Sequence, residues 1–132
     1  PEVGSYPYKL QASRLVFRNQ NKDHDFWIEA REKHFSKYVS VDIYNSQLQS
    51  DFIPKLGSYL SITHGMLGLV IARNLPSQEL SGLPVALFEN EQKVILLLTD
   101  IDLLDMLSYK AGGVNPVCRL QDLYQFLIAS KN

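Results

Sequence analysis

Two uninterrupted apolar runs, "MLGLVIAR" (66–73) and "KVILLLT" (93–99), constrain this chain more than any other feature. Neither approaches the about 18 residues of a membrane span. A strand without polar alternation has to be covered on both of its faces. Between the two runs lies "LPSQELSGLPVALFENEQ", broken by Pro76, Gly82 and Pro84. It is expected to hold a short turn of helix and then a second short helix from Pro84. Strand, helix and apolar strand in that order imply a right-handed crossover and a parallel pair. The sheet therefore lies between layers of helix.

The N-terminal segments are read from their period. "SRLVFRN" (13–19) has the composition of a short strand, and "QNKDHD" reads as a polar turn. "FWIEARE" (26–32) and "KYVSVDIY" (37–44) both alternate and are joined by "KHFS", which predicts a hairpin. That pairing places Trp27 opposite Asp42 and Asp25 opposite Tyr44. The period then changes. Leu48, Phe52, Leu56, Leu60 and Thr63 recur at helical spacing, with Pro54 in the first turn and Gly65 as the C′ residue. Thr99 is expected to cap a helix running to about Tyr109, with Asp100 and Asp102 in its positive first turn. "VCRLQDLYQFLIAS" is a final amphipathic helix, with Val117, Leu120, Leu123, Leu127 and Ile128 inward. The expected order is β-β-β-α-β-α-β-α-α: an α/β domain with a mixed sheet flanked by helices.

Composition narrows the function. Thirteen Lys and Arg stand against 14 Asp and Glu, without the excess of a dedicated nucleic-acid binder. Seven of the 13 cations do fall within the first 37 residues, against five acids. Arg31 and Lys33 of that group are candidate nucleic-acid contacts. One cysteine, Cys118, cannot close an internal disulfide, so a reducing, cytoplasmic setting is expected. "PEVGSYPYKL" has no signal-peptide pattern, and residues 1–12 read as an irregular lead-in to one domain over 1–132. The chain is expected to be a fragment of a larger protein. His24, His34 and His64 lack zinc-ligand spacing. A G-x-S-x-G elbow, a Cys/His pair and a dinucleotide glycine fingerprint are all missing, which argues against most hydrolase and dinucleotide chemistries.

The stretch "YVSVDIYNS" (38–46) carries the candidate site. Val39, Val41 and Ile43 face one way, and Tyr38, Ser40, Asp42 and Tyr44 face the other. The expected hairpin brings Asp25 close to Asp42, with Glu29 as the alternative second acid. Two such carboxylates can hold a hard cation such as Mg²⁺. That cation can activate water against a phosphate.

The hairpin with Asp25, the "VDIYN" strand, the following helix and the strands "LGLVIAR" and "KVILLLTD" together resemble the PD-(D/E)XK nuclease superfamily, in particular its Mrr-like restriction-endonuclease branch. The resemblance covers roughly residues 13 to 110 and rests on element order and a short motif. It implies a restriction-endonuclease-like fold, with Asp25 and Asp42 as the catalytic and metal-binding acids. Tyr44 stands where that motif has lysine, and a neutral phenol cannot supply the positive charge. Some members that look similar carry the charge on the next helix, where Lys55 is the candidate. Gln47 and Gln49 are candidate donors to a phosphate. The expectation is a degenerate, catalytically inactive domain that serves a larger protein as a nucleic-acid-contacting, sensing or assembly module. An active Mg²⁺-dependent DNA endonuclease using Lys55 and a purely protein-binding module are the alternatives. The expected partners are DNA, other domains of the parent protein and a second copy of the chain, and no membrane.

Overall fold

The computed structural model describes residues 12–74 and 82–130. They form four strands and five helices in strict alternation until the last step. These are β1 (Ala12–Arg18), α1 (Asp25–Lys33), β2 (Tyr38–Tyr44), α2 (Phe52–Tyr59), β3 (Leu67–Ile71), α3 (Leu83–Glu91), β4 (Val94–Leu98), α4 (Asp100–Ala111) and α5 (Val117–Ala129). The sheet order is β1-β2-β3-β4. β1 is antiparallel to β2, while β2, β3 and β4 run parallel. The domain is thus a mixed sheet flanked by helices. Among the described residues no helix is long and apolar enough to cross a membrane.

The two apolar runs form β3 and β4, the parallel neighbours that their composition requires. Both faces of the sheet are covered over β2, β3 and β4. On one, Val39, Val41, Leu69 and Leu96 pack against Phe26 and Ala30 of α1 and Leu120, Tyr124 and Leu127 of α5. On the other, Tyr44, Val70 and Ile95 pack against Phe52, Ile53 and Leu56 of α2. Gly68 permits the second contact: a Cβ there would lie 2.7 Å from a methyl of Leu56. Pro84 lies in the first turn of α3, as expected. The helical turn expected before it falls within residues 75–81, outside the described residues.

The expected hairpin does not form. "DFWIEAREK" is helix α1, and the partner of β2 is β1. The residues opposite Asp42 and Tyr44 are therefore Arg14 and Ala12, not Trp27 and Asp25. The physical reason lies in helix chemistry outweighing a short alternation. His24 accepts the Phe26 N–H at the N-terminus through Nδ1, 3.1 Å away. Asp25 occupies the first turn, and Arg31 and Lys33 the last. Glu29 and Lys33 pair one turn apart at 3.4 Å. Phe26 and Ala30, four residues apart, supply the buried face.

Three boundaries also shift. Ala12 already belongs to β1, one residue inside the expected lead-in; the rest of that lead-in lies outside the described residues. α2 ends at Tyr59, so Gly65 is not its C′ residue. Instead Gly65 closes a bridge with Ser61 at φ +95°, where a Cβ would collide with the Tyr38 carbonyl. α4 runs to Ala111, two residues further than expected. Its start follows the expectation, with the Thr99 N–H donating to Asp102 Oδ2 at 2.8 Å.

Candidate functional site

Alternation along β2 sends Ser40, Asp42 and Tyr44 to the α2 face of the sheet. Asp42 is only 2 % exposed, and a carboxylate that deep in apolar surroundings needs a cation. Antiparallel register supplies one directly opposite, in Arg14. Its Nε donates to Oδ1 at 2.6 Å and its Nη2 to Oδ2 at 2.8 Å. This two-point geometry is the strong form of an ion pair. The guanidinium also lies 4.5 Å from the ring centre of Tyr59 on α2. The bond to Asp42 holds the Arg14 guanidinium above its ordinary pKa, against the opposing effect of burial.

Tyr44, in the position of the motif's lysine, is built into the same layer. Its ring stacks on Phe52 with centres 3.5 Å apart and planes 9° from parallel. Burial, with Asp42's charge second, pushes its hydroxyl up to about 12, so the phenol stays neutral across physiological pH.

Among the described residues, none of the other sequence-derived candidates forms a hydrogen bond or ion pair with Asp42. Asp25 is exposed at the start of α1, which packs on the opposite face of the sheet. Glu29, the alternative acid, is on the same helix and accepts from Tyr124 at 2.7 Å. Lys55 is exposed and pairs at 3.0 Å with Asp51, the N-cap residue of its helix. That partner holds the Asp51 carboxyl below its ordinary value. Gln47 and Gln49 are exposed in the β2–α2 connection. Arg31 donates to the carbonyls of Asn19 and Asn21 at 3.3 and 2.8 Å, tying α1 to the preceding loop. Lys33 is exposed beside Glu29.

A divalent cation is what the motif implies, and the arrangement does not suit one as it stands. Both oxygens of Asp42 already accept from a guanidinium, and the second acid faces the other layer. Among the described residues there is no group of three or more His, Cys, Asp or Glu side chains placed to share a metal ion.

Two polar clusters escaped the sequence reading. In the first, Tyr124 donates its hydroxyl proton to Glu29. Its oxygen must then accept from His34 Nε2, 2.6 Å away, which selects that tautomer. Burial lowers the His34 pKa and raises that of Tyr124, whose bond to Glu29 adds to the rise. In the second, Arg119 of α5 grips Asp102 Oδ1 through Nε and Nη2 at 2.8 and 2.6 Å. Residues 90 and 95 apart in sequence meet in the first cluster, so no local pattern could announce it. Arg14 did leave a signal: a mid-strand acid needs a cation on the neighbouring strand, and β1 offers Arg14 and Arg18. Only the register decides between them.

Comparison with known proteins gives no match, whether to a family model, a curated protein or a solved structure.

Proposed function

We propose that this chain is a nuclease-like domain that does not cut, and that it serves a larger protein as a nucleic-acid-contacting, sensing or assembly module. The observation that carries this reading is the two-point bond between Arg14 and Asp42. A carboxylate whose oxygens both accept from a guanidinium has little capacity left for a cation. Tyr44, locked against Phe52, adds no positive charge beside it. The acid that a nuclease would use for chemistry is here used to join β1 to β2.

The test is plasmid nicking with Mg²⁺ or Mn²⁺. The expected result is no metal-dependent cleavage by the native chain. Metal-dependent cleavage that disappears in Asp42→Asn would overturn the reading in favour of an active endonuclease. The purely protein-binding alternative has its own support, in the row Ile101, Leu104 and Leu107 along α4, each more than 60 % exposed. DNA binding that weakens steeply with salt would favour nucleic-acid contact, because phosphate contacts release counterions. Absence of such binding would favour the protein-binding role.

A further inference from the structure

β1 is an edge of the sheet, with β2 on one side of it and no strand on the other among the described residues. The phase of its ladder can be read at the ladder's end. The Asn19 N–H donates to the Lys37 carbonyl at 2.7 Å, and these two residues continue the β1–β2 register. Hydrogen-bonded pairs alternate along an antiparallel ladder. Ser13, Leu15 and Phe17 therefore aim their backbone groups at β2, and Ala12, Arg14, Val16 and Arg18 aim theirs outward. Among the described residues no backbone group pairs with that outward row.

A row of outward N–H and C=O groups is a template for one kind of occupant, an extended chain. Edge strands that stay single are blunted by shortness, proline, lysine or a bulge. β1 has none of these. It runs seven residues, two more than β3 or β4, without Pro, Gly or Lys, and its register is unbroken. Of its two charges, Arg14 is folded onto Asp42, and Arg18 stands at the last position. Its centre is apolar on both faces: Leu15 and Phe17 are 43 and 54 % exposed on one, and Val16 is 48 % exposed on the other.

We infer that β1 is the interface between two copies of this chain, paired antiparallel about a two-fold axis through Leu15. A two-fold axis normal to the sheet keeps each face on its own side, so paired residues share a face and the axis passes through a residue. Centred on Leu15, the register uses the whole strand: Ser13 meets Phe17 of the second copy, Arg14 meets Val16, and Ala12 meets Arg18. The outward backbone groups of Arg14 and Val16, and of Ala12 and Arg18, then bond to one another. The two Leu15 side chains face each other in a pair without hydrogen bonds, where side chains come closest. The other centres fail. Val16 at the axis sets Arg14 against Arg18, Arg14 at the axis sets it against itself, and like charges directly opposite are destabilising. Ser13 or Phe17 at the axis leaves part of the strand unpaired. The pairing rests on β1 alone and stands whether or not the domain cuts.

Sedimentation equilibrium and cysteine cross-linking test this together. The native chain is expected to pass reversibly from one copy to two, with a dissociation constant on the order of 10 μM, because one strand pair is a small interface. Val16→Pro removes an outward N–H and leaves the ladder to β2 intact, so dimerisation should weaken about tenfold or more. Val16→Lys keeps the N–H but sets a cation opposite Arg14 of the second copy, and should weaken dimerisation similarly; it decides the matter if the proline variant does not fold. Leu104→Ser, on the exposed row of α4, should leave dimerisation unchanged. For the register, Cys118→Ser removes the one native thiol. On that background Leu15→Cys should oxidise to a covalent dimer, since the axis pair has Cα atoms about 4.5 Å apart. Ser13→Cys and Phe17→Cys should each fail alone and cross-link when mixed. The inference is overturned if the native chain stays single at concentrations about a hundredfold above that constant. It is also overturned if the Val16 variants dimerise like the native chain, if Leu104→Ser alone abolishes the dimer, or if Phe17→Cys cross-links with itself in place of Leu15→Cys.

Discussion

β4 and β1 stand at opposite edges of one sheet and are held there by different physics. In β4, Val94, Ile95, Leu96 and Leu98 are all at most 3 % exposed, and apolar packing on both faces does the work. In β1, residues 13–18 are all exposed, and the strand is held by its ladder to β2 and by the ion pair of Arg14 with Asp42. The contrast teaches where each kind of interaction is sensitive. Apolar burial is spread over many atoms and fails in proportion to the volume removed. A buried charge concentrates its effect in one partner and fails when that partner is lost.

Removing packing from β4 should have the largest effect. Ile95→Ala leaves a cavity between the sheet and α2, and should lower stability by about 4 kcal/mol in a urea unfolding titration. Arg14→Ala comes next, at about 3 kcal/mol, because Asp42 is left buried and alone while the site's partial exposure softens the loss. The sharper form of this prediction is the double replacement Arg14→Leu with Asp42→Leu. It should destabilise less than Arg14→Ala, since no charge remains to be desolvated. A double variant worse than the single would mean that the ion pair is not what makes β1 differ from β4.

Tyr124→Phe removes the link from α5 to both Glu29 and His34, and should cost about 2 kcal/mol. The same cluster sets a pH dependence. Burial lowers the His34 pKa in the folded chain, so on acidification the unfolded chain takes up its proton first, near the ordinary value of about 6.5. Protons bound by the unfolded state then exceed those bound by the native state, and stability falls as pH drops below that value. Urea midpoints measured from pH 7.5 down to 5 should decline, and the decline should be shallower in His34→Gln. An identical slope in the variant would locate the pH dependence elsewhere. The smallest effect belongs to Lys55→Ala. Its pair with Asp51 is exposed to solvent, so no measurable change in stability is expected.

Particular residues show why some of this was readable and some was not. β3 and β4 could be read because a run without polar residues has few environments open to it. The Thr99–Asp102 helix start could be read because its chemistry spans only four residues. The hairpin expectation fails at α1 because "FWIEARE" alternates over a window too short to separate a period of 2 from 3.6. The signals that favoured a helix were Phe26 with Ala30, Glu29 with Lys33, and the acid-first, base-last order. The candidate site inherited that error, since a hairpin was what joined Asp25 to Asp42.

The sequence by itself determined the layered α/β class, the buried parallel strands, the alternation that turns Asp42 and Tyr44 to one side, and the absence of lysine beside Asp42. These are local properties, dictated by side-chain period and residue chemistry. Only the tertiary structure decided that Asp42 meets Arg14, that Asp25 stands across the sheet from it, and that Asn19 and Trp27 border an open cleft. Each of these depends on strand register and helix placement. Register shifts by one residue exchange the two faces of a strand, and helix placement follows from apolar burial summed over the whole chain.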